Sequence, residues 1–96
     1  MLVLITYDVN TQTPEGRKRL RQVSKACQDF GQRVQNSVFE CNVDAGQLLK
    51  VKDKLVRLIN EEADSLRFYN LGNNSRNRVE HFGAKPSFDI NEPLIV

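Results

Sequence analysis

Residues 1–9 read Met-Leu-Val-Leu-Ile-Thr-Tyr-Asp-Val, an apolar run that ends in a carboxylate, Asp8. If the run is a strand buried on both faces, a charge at its end needs explaining, because desolvating an ion costs several kcal/mol unless a partner, a metal or protonation offsets it. Asp8 either caps a turn or does chemistry, and for an isolated aspartate the turn is the commoner use. The chemistry open to a single carboxylate is to hold Mg²⁺ together with waters and phosphate oxygens, and no second acid lies near Asp8 in the chain. A symmetric dimer would supply one, as Asp8 of the second copy.

The other reactive residue types are less telling. Ser37 and Tyr7 have no adjacent base that would make either a nucleophile. His81 follows Glu80 in a short apolar context, where a lone histidine is more often a core or surface residue than a general base. Cys27 and Cys41 are not spaced as Cys-x-x-Cys, which argues against zinc and leaves Cys27, on an apolar helix face, as packing. The remaining candidate is a basic stripe. Between Glu15 and Arg33 six basic residues (Arg17, Lys18, Arg19, Arg21, Lys25, Arg33) face two acidic ones, so this stretch holds an excess of four and the rest of the chain is net −2. A one-sided excess is the footprint of nucleic-acid binding, but a solvated helix face looks the same, and spacing alone leaves both open.

The elements that must position these residues follow from periodicity. Ninety-six residues suggest one domain, and a net charge of +2 with pI near 8.7 is too mild to announce a nucleic-acid partner by itself. No basic n-region with a cleavage site and no apolar stretch near the roughly 20 residues of a membrane span are present, so a cytoplasmic chain is expected. Thr13-Pro14-Glu15 is a helix start. The helix should run to about Phe30, with Leu20, Val23, Cys27 and Phe30 inward, Arg17, Arg21 and Lys25 on the opposite side, and Gly31 as the stop. Residues 32–43 read as two short strands in a hairpin around Gln35-Asn36-Ser37. Asp44 and Gln47 form a capping-box pattern ahead of a second helix, which Leu48, Val51, Leu55, Leu58 and Ile59 carry to about Glu62. A strand over 65–71, a Gly72–Ser75 loop, a short strand over Val79–Phe82 and irregular chain from Pro86 to Pro93 complete the reading.

The order strand, helix, strand, strand, helix, strand predicts an α+β fold: a ferredoxin-like βαββαβ sandwich, an antiparallel sheet with two helices on one face. Residues 1–83 would form the domain and 84–96 a tail. Its terminal Leu94-Ile95-Val96 wants a sheet edge, one that a second copy would offer at a dimer interface.

Three segments together resemble the smaller of the two universal CRISPR-associated adaptation proteins: Tyr7-Asp8-Val9 closing the first strand, the arginine-rich first helix, and Gly31-Gln32-Arg33-Val34-Gln35-Asn36-Ser37-Val38-Phe39-Glu40. The Asp64-Ser65-Leu66-Arg67-Phe68-Tyr69 strand and the length extend the match over nearly the whole chain. The resemblance implies a homodimer that bridges two dimers of a larger integrase, captures a short foreign DNA duplex and inserts it into the CRISPR array. It also implies a metal-dependent endonuclease cutting single-stranded RNA or double-stranded DNA, with Mg²⁺ (or Mn²⁺) shared between the two Asp8 carboxylates. On the same basis Tyr7, Ser37 and Phe39 join Asp8 as catalytic residues. Arg17, Arg19 and Arg33 match substrate-contact positions, roles that Lys18 or Arg21 could exchange with the helical arginines, and Lys25 extends the stripe. Arg19 lies toward the core side in the periodicity. The alternative is a non-catalytic dimeric DNA-binding scaffold in which Asp8 is structural; a small ferredoxin-like regulator is a weaker third.

Overall fold

The computed structural model describes residues 1–71 and 79–84 of the chain. The Gly72–Ser75 loop, the Pro86–Pro93 segment and the terminal Leu94-Ile95-Val96 strand lie outside the described residues, as does all of the 84–96 tail beyond Ala84. The elements run β1 (Leu2–Asp8), α1 (Pro14–Gln28), β2 (Gln32–Gln35), β3 (Val38–Asn42), α2 (Ala45–Leu58), β4 (Ser65–Asn70) and β5 (Val79–Gly83). They build the ferredoxin-like order with β5 added at one edge, as one sheet ordered β2-β3-β1-β4-β5, antiparallel throughout. Among the described residues no helix is long and apolar enough to cross a membrane.

The helix starts form as their sequences dictate. Thr13 caps α1 by accepting from the Gly16 amide at 3.0 Å, with Pro14 in the first helical position. Asp44 and Gln47 close a reciprocal capping box on α2, at 2.7 and 2.9 Å.

The helix ends differ from expectation. α1 stops at Gln28 and α2 at Leu58, four residues short of Glu62. After α2, the Asn60 amide donates to the Asp64 carboxylate at 2.9 Å, and the Ala63 and Asp64 amides turn back onto the Asn60 carbonyl. Local side-chain acceptors here outcompete another helical turn. Gly31 does not act through a left-handed backbone; it lets the chain pass the hairpin, since a Cβ there would lie 2.4 Å from Cys41 Sγ and 2.5 Å from the Glu40 carbonyl.

Both helices cover one face of the sheet. Val3, Ile5 and Tyr7 of β1 join Phe39 and Cys41 of β3, Leu66 and Phe68 of β4, Val23, Ala26 and Cys27 of α1, and Val51 and Leu55 of α2 in one core. Truncating a residue as buried as Leu55 to alanine costs about 2–5 kcal/mol. The alternate residues Leu2, Leu4 and Thr6 are only half-buried, so β1 is not covered on both faces.

Candidate metal and nucleic-acid site

β1 is the central strand, and alternation along it puts consecutive candidate residues on opposite sides of the sheet. Tyr7 points among the helices; Asp8, the last residue of β1, lies on the face turned away from them. Asp8 is exposed, so the desolvation that would have forced it into a cap or a metal site does not act within one chain. Its Cα partner across the β1–β4 ladder is Ser65, which in turn faces Gly83 of β5. Ser65 is 6% exposed, and its hydroxyl has no hydrogen-bond partner among the described residues. One row inward, Thr6, Arg67 and His81 are in register. The Arg67 Nε–H donates to His81 Nδ1 at 2.9 Å, which makes Nε2 the protonated nitrogen and lets it donate to the Gly83 carbonyl at 3.2 Å.

On the helix side, Tyr7, Leu20, Arg21, Ser24, Lys25, Gln28, Arg33, Asn36 and Ser37 line an open cleft of about 620 Å³. Five of the proposed site residues, Tyr7, Arg21, Lys25, Arg33 and Ser37, therefore meet. A sixth, Phe39, is fully buried beneath them, stacked against Tyr7 at 6.2 Å and with the Arg33 guanidinium 5.3 Å over its ring. Arg33 also donates to the Ser24 hydroxyl, which lies beside the Tyr7 phenol. Burial raises the Tyr7 phenol above its ordinary value, with Ser24 pulling the other way, so the ring stays protonated at neutral pH. Burial likewise lifts Cys27 to about 12, and raises Cys41, so neither thiol is reactive.

The other basic residues diverge. Arg17 is exposed and donates to the Thr11 carbonyl at 3.1 Å. Lys18, Arg21 and Lys25 are exposed and pair with no carboxylate among the described residues. Arg19 is instead engaged inside the fold. Its Nε donates to Asp64 Oδ2 at 2.8 Å and its Nη2 to Oδ1 at 3.3 Å, while the Asn10 and Asn60 amides each add a bond of 2.9 Å to the same carboxylate. Burial pushes Asp64 up, but the Arg19 guanidinium and the Asn60 and Asn10 amides outweigh it and hold the carboxyl below its usual range. Asp64, Asn60 and Ser24 were not singled out from sequence as functional. Asp64 at the head of an apolar strand carried the same signal as Asp8, and Ser24 was a lone hydroxyl beside the Leu20–Cys27 apolar stripe.

Among the described residues no three of His, Cys, Asp and Glu gather as a metal site. One chain thus offers an exposed carboxylate and, opposite it, a buried hydroxyl with no hydrogen-bond partner among the described residues. Hard oxygen donors few in number fit Mg²⁺, which keeps several waters and needs only one or two carboxylates.

The CRISPR-associated endonuclease Cas2 of Halalkalibacterium halodurans is 65% identical to this chain over 95 residues, 99% of either protein. The CRISPR-associated endoribonuclease Cas2 of Chlorobaculum tepidum is 58% identical over the full length of both. The crystal structure of Streptococcus pyogenes Cas2 is similar with a TM-score of 0.70 at 60% identity, covering 83% of this chain and 96% of that one. The family model described as CRISPR associated protein Cas2 matches residues 1–79, and the chain belongs to that family.

Proposed function

We propose that the chain is a Mg²⁺-dependent endonuclease of phosphodiester bonds, acting as a homodimer alongside a larger integrase in the acquisition of CRISPR spacers. The observation that carries this reading is the placement of Asp8: an exposed carboxylate closing the central strand, on the sheet face away from the helices. The relatives' names, endonuclease in one case and endoribonuclease in the other, support the reaction class. Asp8 from each copy of the homodimer would hold the cation. When bound, that ion supplies an acidified water and neutralises charge on the scissile phosphate. Arg21, Lys25 and Arg33 grip the nucleic-acid backbone through its phosphates, and Arg33 is pre-oriented for this by Phe39 and Ser24. Tyr7 and Ser37 line the same cleft; Tyr7, protonated and beside Ser24, orients rather than attacks.

The test is cleavage of duplex DNA and single-stranded RNA by wild type and Asp8→Ala, in Mg²⁺ and in chelator. Loss of cleavage in the variant and in chelator is the expected result; equal cutting by the variant refutes the assignment.

One observation favours a second reading, the non-catalytic scaffold. The basic cleft and Asp8 occupy opposite faces of the sheet, so phosphates held in the cleft do not meet Asp8 of the same chain through the sheet. On that reading Asp8→Ala leaves both binding and spacer insertion intact.

A further inference from the structure

We infer that Ser65 is a positioning residue for Asp8, its hydroxyl donating to the Asp8 carboxylate when that carboxylate turns to a divalent cation. The inference rests on the metal-dependent reading of Asp8 and adds a residue to it.

Asp8 and Ser65 are direct Cα partners in the β1–β4 ladder, so their side chains lie on the same face with Cβ atoms about 5 Å apart. At that separation one rotation about χ1 brings a serine hydroxyl to a carboxylate oxygen. The surroundings offer Ser65 little else. Its partner on the other side is Gly83, where an added Cβ would lie 2.8 Å from Ser65 Cα and 1.9 Å from the Asp64 carbonyl. With a φ of +120°, Gly83 keeps that side of Ser65 bare of any side chain. The nearest acid in sequence, Asp64, is saturated by Arg19 and two amides.

The hydroxyl is thus buried without a hydrogen-bond partner among the described residues, an arrangement that destabilises a fold. A purely structural position would be filled more stably by alanine. A donor held beside a carboxylate ligand, in contrast, fixes which oxygen faces the cation and with what orientation. Partners of this kind change metal affinity by about 10–100-fold.

The experiment titrates Mn²⁺ into the full-length protein, followed by the loss of the free-ion paramagnetic resonance signal, for wild type, Ser65→Ala and Asp8→Ala. Melting curves and the Mg²⁺ dependence of cleavage are recorded alongside. The expected result is a tenfold or greater weakening of Mn²⁺ binding in Ser65→Ala. The Mg²⁺ concentration for half-maximal cleavage rises by the same factor, the rate at saturating Mg²⁺ changes little, and the melting midpoint holds or rises. Mn²⁺ affinity unchanged in Ser65→Ala while Asp8→Ala abolishes binding overturns the role of Ser65 and leaves the Asp8 site standing. A melting midpoint that falls in step with affinity marks the hydroxyl as a fold support and also overturns the inference. No Mn²⁺ binding by wild type overturns this inference together with the reading beneath it.

Discussion

Asp8 and Asp64 lie at the same end of the sheet, one closing β1 and the other immediately preceding β4, yet their surroundings are opposite. Asp64 is fully buried and accepts from Arg19, Asn10 and Asn60, tying α1 and the two loops at this end to the sheet, while its own carbonyl accepts from the Ala84 amide at 2.9 Å. Asp8 is exposed, on the face away from the helices. A carboxylate whose oxygens are already occupied by a guanidinium and two amides holds the fold together and has nothing to offer a ligand. A carboxylate at an exposed strand end, opposite a hydroxyl with no hydrogen-bond partner among the described residues, is not locked into the core in this way.

The sharpest test of this contrast replaces each acid by its amide. Asp64→Asn removes the charge that pairs with Arg19 and turns an acceptor into a donor facing guanidinium N–H groups. The expected loss is about 3 kcal/mol, which for a domain this size lowers the melting midpoint by about 12 °C or more. Asp8→Asn should leave the melting midpoint nearly unmoved and reduce cleavage at least a hundredfold, equivalent to about 2.7 kcal/mol of barrier. A reversed pattern in calorimetry and cleavage assays would dissolve the distinction.

The helix side of the sheet offers the next comparison. Phe39 is wholly buried, so it reaches a substrate only by holding Tyr7 and Arg33. Phe39→Leu keeps the apolar bulk but removes both ring contacts, and is expected to cost about 1–2 kcal/mol of stability with a few-fold loss of nucleic-acid affinity. Smaller effects follow from the exposed cations. Arg21→Ala and Lys25→Ala should each flatten the dependence of log affinity on log salt by about 0.9 on duplex DNA, without changing sequence preference. The matching substitution of Arg19 should instead appear as lost stability, since its guanidinium is held by Asp64. Binding titrations at several salt concentrations, read beside melting curves, separate the two kinds of arginine.

These pairs also mark what could be read from the chain beforehand. The two helix starts were legible because caps and Pro14 are local signals, and the strand order followed from periodicity. The ends of α1 and α2 were not, because a carboxylate and a carbonyl from beyond the helix decide them. Arg19 fell toward the core side in the helical pattern, and the cause became visible only when the fold brought Asp64 to it from 45 residues away. Asp8 was singled out as a buried charge and emerged exposed, because the helices cover only the side of β1 that carries Val3, Ile5 and Tyr7. Ser24 and Ser65 could not be found from spacing, since a serine matters by what it lacks or meets across strands.

The final test uses pH to isolate the buried acid. The folded-state value of Asp64 lies below its ordinary 3.8, because Arg19 and the amides of Asn60 and Asn10 outweigh burial. In the unfolded chain the carboxyl takes up its proton at higher pH than in the fold, so its contribution to stability is complete above about pH 5. That contribution shrinks as pH falls through 3.8 toward the folded value, while Arg19 stays charged throughout and adds no slope of its own. Wild-type stability, measured by denaturant titration between neutral and acid pH, should therefore fall more steeply below about pH 4 than that of Asp64→Asn. Parallel curves for wild type and Asp64→Asn would mean that the buried carboxylate is not the charged anchor of this end of the sheet, and the contrast with Asp8 would fail at its stronger half.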